Sequence, residues 1–182
     1  MSASVEYGLA ELEAQAWRLL EHPKEIEPRD PIRRFGSVLR LWQYPAHGPQ
    51  RSWTILTPGK KTPPGAGPLV REVVWDRDQD LERLPRFPAG GPCRPTIRVR
   101  DATLPDEELR QFLDRGAELA IPVVGCAERA GLDGEFFGLE TYDVSPHVRL
   151  QWWCEGPRAW RHFVDWVTSL RAFVQQQLDG AG

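Results

Sequence analysis

An acidic stretch in the last third of the chain carries the side chains best suited to acid–base or metal chemistry. Asp133, Glu135 and Glu140 surround a predicted turn, and Asp143 and His147 follow them. Carboxylates beside a turn can hold a divalent cation or act as an acid–base pair. The spacing matches no known metal-binding loop, and Asp-Gly pairs are also common in turns for conformational reasons. This group defines an enzyme hypothesis, a metal-assisted or acid–base enzyme of the hydrolase type.

A second candidate pairs Cys154 with His162. Cys154 lies where a strand is predicted to end and a helix to begin, and a helix N-terminus lowers the pKa of a nearby thiol. A nucleophile also needs a base within reach and a third group that orients it. No glycine-rich turn surrounds Cys154, and cysteine is also a routine small buried hydrophobe.

Basic and aromatic residues alternate along the first predicted strands. Such a pattern can stack bases on its rings while Arg and Lys neutralise phosphates. Two Trp on neighbouring strands are also typical of a cross-strand pair in a core. The net charge of -3 argues against a dedicated nucleic-acid binder, so this is a second alternative. The residues concerned are Trp42, Trp53, Arg40, Arg51, Arg33, Arg34, Lys60 and Lys61.

Motifs for common cofactors are absent from the sequence. It contains no phosphate-binding loop, dinucleotide fingerprint, serine elbow or His-Glu-x-x-His, and its four His are scattered singly. Cys93, Cys126 and Cys154 are widely spaced, without the CxxC pairs or even number that a zinc site or disulfide framework favours. We therefore expect no cofactor and no metal.

Composition is that of a globular protein. The 182 residues are 41% hydrophobic and 27% charged, which favours one domain spanning 1–182. The N-terminus lacks the pattern of a signal peptide, and no apolar run is long enough to span a bilayer. Of the 23 basic residues only three are Lys, a usage that suggests a GC-rich bacterial genome. We expect a cytoplasmic protein without membrane association.

Periodicity predicts an α+β fold, a mostly antiparallel sheet of five or six strands with the first and last helices packed on it. A helix from Val5 ends before Pro23, Pro105 begins another, and Pro157 begins the last. Strands are predicted at Ser37–Tyr44, Ser52–Thr57, Leu69–Trp75, Thr96–Arg100, Ile121–Val124, around Phe137 and around Leu150.

Alternation along the strands predicts which side chains share a face. Val38, Trp42 and Tyr44 should lie on one face of their strand, and Ile97 and Val99 should point inward. In the last strand, Trp152 joins the core face of Val148 and Leu150. The adjacent Trp153 must therefore point to the other face.

The C-terminal stretch resembles that of many small, single-domain bacterial proteins, some of them immunity proteins encoded beside toxin genes. The likeness rests on Asp133-Gly134, Trp152-Trp153 and Pro157…Trp160, and it transfers no site.

The leading hypothesis is a small bacterial protein that acts without catalysis by binding another protein, as an immunity-like protein or a defence accessory. Exposed Trp with neighbouring Arg would be the hot spots of its interface. The predicted binding residues are Trp42, Trp53, Trp153, Arg40 and Arg51.

Overall fold

A computed structural model of the chain describes residues 3–27, 29–84, 94–122, 134–142 and 147–181. Within these residues the chain forms four α-helices and six strands. They are α1 (Ala3–Glu21), β1 (Gly36–Pro45), β2 (Gln50–Thr57), β3 (Leu69–Trp75), α2 (Arg77–Arg83), β4 (Ile97–Thr103), α3 (Asp106–Ala117), β5 (Glu135–Thr141), β6 (Arg149–Trp153) and α4 (Arg161–Gly180).

The strands form one antiparallel sheet in the order β4-β3-β2-β1-β5-β6. The first four strands follow one another as a meander, and the β5–β6 hairpin adds to the free edge of β1. The predicted α+β fold is confirmed. The predicted strand at Ile121–Val124 is not found at residues 121–122, and residues 123–124 lie outside the described part.

Each face of the sheet is covered by helix. On one face, α1 packs Leu12, Ala16 and Leu20 against Trp42 and Trp75 of the sheet. On the other face, α3 and α4 cover the second core cluster, which includes Leu41, Trp53, Leu139 and Trp152. The molecule is therefore three layers deep, with the sheet in the middle.

The long C-terminal helix supplies much of the second core. The buried positions of α4 recur every three or four residues, which puts them on one stripe facing the sheet. Each large apolar side chain buried in this way contributes about 1.5–3 kcal/mol before entropy is counted. The stripe is Phe163, Val167, Leu170, Phe173, Val174 and Leu178.

Two local expectations are wrong, and one helix was not predicted. The pairing of β1 with β2 shifts register between Ser37 and Leu39, and this bulge brings Val38 to the face of Leu39 rather than that of Trp42. Val99 is 38% exposed rather than buried, because it lies in the edge strand β4. The helix that was not predicted is α2, which is polar almost throughout and therefore has no apolar stripe.

No helix in the described residues combines the length and apolar character that crossing a bilayer requires.

Candidate functional site

A row of six polar side chains, five of them charged, crosses the face of the sheet that carries α1. Residues that pair across neighbouring strands lie on the same face. The register aligns one residue from each of the six strands, and we call this set the ionic row. It consists of Asp101, Arg71, Thr54, Arg40, Glu140 and Arg149.

Arg40 and Glu140 form the central ion pair of the ionic row. Arg40 Nη2 lies 2.8 Å from Glu140 Oε2, and Arg40 Nε donates to the same oxygen at 3.2 Å. Both residues are buried, with Arg40 only 1% exposed. A buried charge is tolerated when it is paired and hydrogen-bonded, and this pair meets both conditions.

Glu140 also accepts hydrogen bonds from two residues in the connection between β5 and β6. The Tyr142 hydroxyl donates to Oε2 at 3.0 Å, and His147 Nε2 lies 3.2 Å from Oε1. Burial alone would raise the pKa of Glu140, but the Arg40 guanidinium, the Tyr142 hydroxyl and the Arg149 guanidinium lower it below its ordinary value. Burial raises the pKa of Tyr142 to about 12. Glu140 is therefore held as a carboxylate.

The C-terminal end of α1 lies against the ionic row. The Leu20 carbonyl accepts a hydrogen bond from Ser52 Oγ at 2.8 Å and a longer one from Arg40 Nη1 at 3.4 Å. Glu21 Oε1 pairs with Arg149 at 2.7 Å. Guanidinium groups at a helix C-terminus satisfy its free carbonyls and complement its dipole. The charged residues of the ionic row therefore have a structural role, because they hold the end of α1 on the sheet.

The carboxylates of the enzyme hypothesis do not converge. Glu140 and His147 are in contact, but Glu135 accepts from Gln43 Nε2 at 2.7 Å on the opposite face of β5. Asp133 and Asp143 lie outside the described residues. Within the described residues, no three His, Cys, Asp or Glu side chains are grouped as ligands for a metal ion.

Trp42 and Trp53 are each only 2% exposed, so neither ring offers surface to a partner or to a base. They are also not a cross-strand pair. Trp53 pairs with Leu41, which places it on the opposite face from Trp42 and in the other core cluster. Among the Arg candidates, Arg40 is buried in the ionic row, and Arg51 is half-buried. These positions correct the expectation that both Trp are exposed binding residues.

Cys154 and His162 are both exposed and lie on either side of the turn before α4. Cys154 has a φ of 48°, in the left-handed region that non-glycine residues seldom adopt. Within the described residues no hydrogen bond joins the two side chains. The geometry therefore supplies no activated thiol.

Trp153 instead belongs to a surface group of aromatic rings on the face that carries α1. Its ring meets Phe136 edge-on with centroids 4.5 Å apart, and Phe136 pairs with Tyr44 across β1 and β5. The Tyr44 ring in turn meets Trp17 of α1 edge-on at 4.8 Å. Trp17 and Phe136 are 39% and 38% exposed. We call Trp17, Phe136 and Trp153, with Tyr44 beneath them, the aromatic patch.

The aromatic patch surrounds a shallow groove of about 390 Å³. One side of the groove carries an ion pair in which Glu13 Oε1 lies 2.9 Å from Arg77 Nη2, and Gln50 also lines it. Large aromatic side chains at the centre with charged groups at the rim are typical of protein–protein interfaces.

Sequence reasoning found Trp153 but missed Trp17 and Phe136, although the signals were present. Trp17 lies beside the apolar stripe of α1 rather than within it, which places its ring at the margin of the buried face. Phe136 alternates with the core residues Phe137 and Leu139, so it had to face away from their core.

No protein-family model matches this chain, and no curated protein or solved structure is significantly similar to it.

Proposed function

We propose that this chain acts by binding another protein through the aromatic patch, without catalysis. The observation that carries the proposal is a pair of edge-on ring contacts, Trp17 with Tyr44 and Phe136 with Trp153, brought side by side by the pairing of Tyr44 with Phe136 across β1 and β5. Aromatic residues of this kind dominate the binding energy of interfaces because they bury a large area with few rotatable bonds.

The partner that fits this surface contributes an apolar side chain as its anchor. That side chain enters the groove between Trp17 and Phe136, and polar groups of the partner meet Glu13 and Arg77 at the rim. The C-terminal resemblance to bacterial proteins that include immunity proteins makes a toxin domain the first class of partner to test. A component of a defence system is the second class.

An enzyme that uses Glu140 and His147 has less support. Glu140 belongs to the ionic row, and His147 contacts Glu140. The contacts of Glu140 with Arg40 and Tyr142 hold it as a carboxylate. A carboxylate with four hydrogen-bond donors around it is a weak base for a substrate.

Affinity capture from a native bacterial host tests the proposal. The bait is the wild type, with Phe136→Ser as the test variant and Val99→Ser as the control, because Val99 has the same exposed fraction and lies on the same face of the sheet. We expect one partner to be recovered by the wild type and by Val99→Ser but not by Phe136→Ser. Recovery of the same proteins by all three baits would contradict the proposal.

A further inference from the structure

A cleft of about 310 Å³ lies between α4 and the β5–β6 hairpin, on the sheet face opposite the aromatic patch. Its floor is formed by Phe137 and Trp152, which pair across the two strands and stack with ring centroids 6.2 Å apart. Val164 and Val167 of α4 line it from above. Sites for small molecules begin at about 300 Å³, so the cleft is large enough for a small ligand.

Arg171 of α4 lies over this floor, with its guanidinium carbon 5.1 Å from the centre of the Phe137 ring. Its Nη1 donates to Gln43 Oε1 at 3.1 Å, which uses one of the five N–H groups that a guanidinium carries. Within the part of the chain that the structure describes, Arg171 forms no ion pair. Burial lowers its pKa, and the charge of the nearby Glu135 offsets this lowering only in part.

The nearby Glu135 does not supply the missing anion. Gln43 stands between the two groups, accepting from Arg171 with its oxygen and donating to Glu135 Oε2 with its nitrogen at 2.7 Å. The amide therefore holds Arg171 in place, and most of its N–H groups have no partner among the described residues.

Trp152 provides a second donor without an acceptor. It is only 5% exposed, and its indole N–H has no hydrogen-bond partner among the described residues. A buried donor left without a partner costs about 1–3 kcal/mol, and such groups are rare in native proteins. The nitrogen itself has almost no solvent-accessible area, so Trp152 is a reporter of a ligand on the floor of the cleft and is not one of its binding groups.

The mouth of the cleft carries charges of both signs. Arg158 and Arg161 lie there with Glu155 and Asp165, and all four residues are exposed. These charges offset one another in number, so the excess positive charge of the cleft comes from the half-buried Arg171. The deep end is therefore the end that attracts an anion.

We propose that this cleft binds a small carboxylate-bearing molecule, with the carboxylate accepting hydrogen bonds from the Arg171 guanidinium. The apolar body of the ligand packs on Phe137 and against Val164. A planar carboxylate matches the fork of a guanidinium, which gives two parallel, charge-assisted hydrogen bonds. This site lies on the opposite face of the sheet from the aromatic patch, so the proposal does not depend on protein binding at the patch.

Titration with 3-phenylpropionate, followed by ¹H–¹⁵N NMR of the indole N–H signals, tests the proposal. Trp152→Phe identifies the Trp152 signal, because that signal is missing from its spectrum. We expect 3-phenylpropionate to shift the Trp152 signal. We expect neither 3-phenylpropanol, which lacks the charge, nor inorganic phosphate, which lacks the apolar body, to do so at equal concentration.

Variants of Arg171 separate the proposed contact from general surface attraction. Arg171→Met should weaken binding of 3-phenylpropionate about tenfold or more, since hydrogen bonds to a charged group are lost. Arg110→Gln is the matched control, because Arg110 is exposed on α3 and pairs with Asp106 away from the cleft. It should bind as the wild type does.

Two results would overturn the proposal. One is wild-type affinity in Arg171→Met, and the other is binding of 3-phenylpropanol or of phosphate as tight as that of 3-phenylpropionate. If circular dichroism shows that Arg171→Met does not fold, Arg171→Lys replaces it. Lys keeps the charge without the fork, so weaker binding is expected, and unchanged affinity would equally overturn the assignment.

Discussion

The ring of Phe136 meets the ring of Trp153 edge-on, with centroids 4.5 Å apart, and the pair stays at the surface of the protein. The reason lies in the layers of the fold. α1 packs on the central strands, whereas Arg149 and Gln151 on the same face of β6 are exposed. At the β5–β6 end of this face none of the described helices covers the rings of Phe136 and Trp153, and these two rings form the aromatic patch together with Trp17 of α1 and Tyr44.

Position 138 has no room for a side chain, because the Trp42 ring packs directly on Gly138. A Cβ at this position would overlap the Trp42 ring, which is buried and lies under the guanidinium groups of Arg40 and Arg149. We expect Gly138→Ala to lower the free energy of unfolding by about 1–3 kcal/mol, as overpacking does. Urea denaturation measures the change.

Gly180 is the control for this substitution, because a Cβ there would meet no atom within 4 Å. Gly180→Ala should be neutral or slightly stabilising, since alanine favours helix. If both glycine variants leave stability unchanged, the packing of Trp42 on Gly138 is not as tight as described.

The Arg40–Glu140 pair makes stability depend on pH. Glu140→Gln leaves the buried Arg40 charge with only its longer ion pair to Glu21, at 3.6 Å, which should cost about 3 kcal/mol at neutral pH. Because the folded-state pKa of Glu140 lies below its ordinary value of 4.5, this contribution is complete above pH 4.5 and is lost as pH falls through the folded-state pKa. The stability gap between wild type and variant should therefore close in acid.

Denaturation at a series of pH values measures this gap. Glu107→Gln is the control, because Glu107 pairs with Arg110 on the exposed surface of α3 and should matter by less than about 1 kcal/mol. If the difference in unfolding free energy between the wild type and Glu140→Gln stays constant from neutral pH into acid, Glu140 is not the ionised partner of Arg40.

Much of the architecture follows from the sequence, but the pairing of strands does not. Periodicity located α1, α3, α4 and the core strands because each buries an apolar stripe or face. The placement of Trp42 and Trp53 failed because it depends on register, and a pairing of Trp53 with Leu41 puts the two rings on opposite faces. No local pattern fixes that register.

The charged residues show a second limit of sequence reasoning. Arg40 and Glu140 look like surface residues in a strand, since burial of a charge depends on a partner one hundred residues away. The separation of Glu135 and Glu140 was predictable, because residues five apart in one strand face opposite ways. Nothing in the sequence distinguishes Arg171 from other Arg residues. Its lack of an ion pair among the described residues depends on how α4 packs over Phe137 and Gln43.

Asp80 joins α2 to the start of β4. Its carboxylate accepts hydrogen bonds from Trp75 Nε1 at 2.8 Å, from the Thr96 backbone N–H at 2.7 Å and from Thr96 Oγ1 at 2.6 Å. Asp80→Ala leaves buried donors unpaired, so we expect a loss of about 2–3 kcal/mol in urea denaturation. Glu82→Ala on the exposed side of α2 should change stability little, and an equal loss in both variants would contradict the role of Asp80.

The central claim is that the aromatic patch binds a protein partner, and the dissociation constant of the captured partner tests it most directly. Isothermal titration calorimetry should give an affinity for Phe136→Ser about thirtyfold weaker than for the wild type, as expected for a hot spot worth about 2 kcal/mol. Val99→Ser should bind as the wild type does. Equal dissociation constants for the wild type and both variants would contradict the claim.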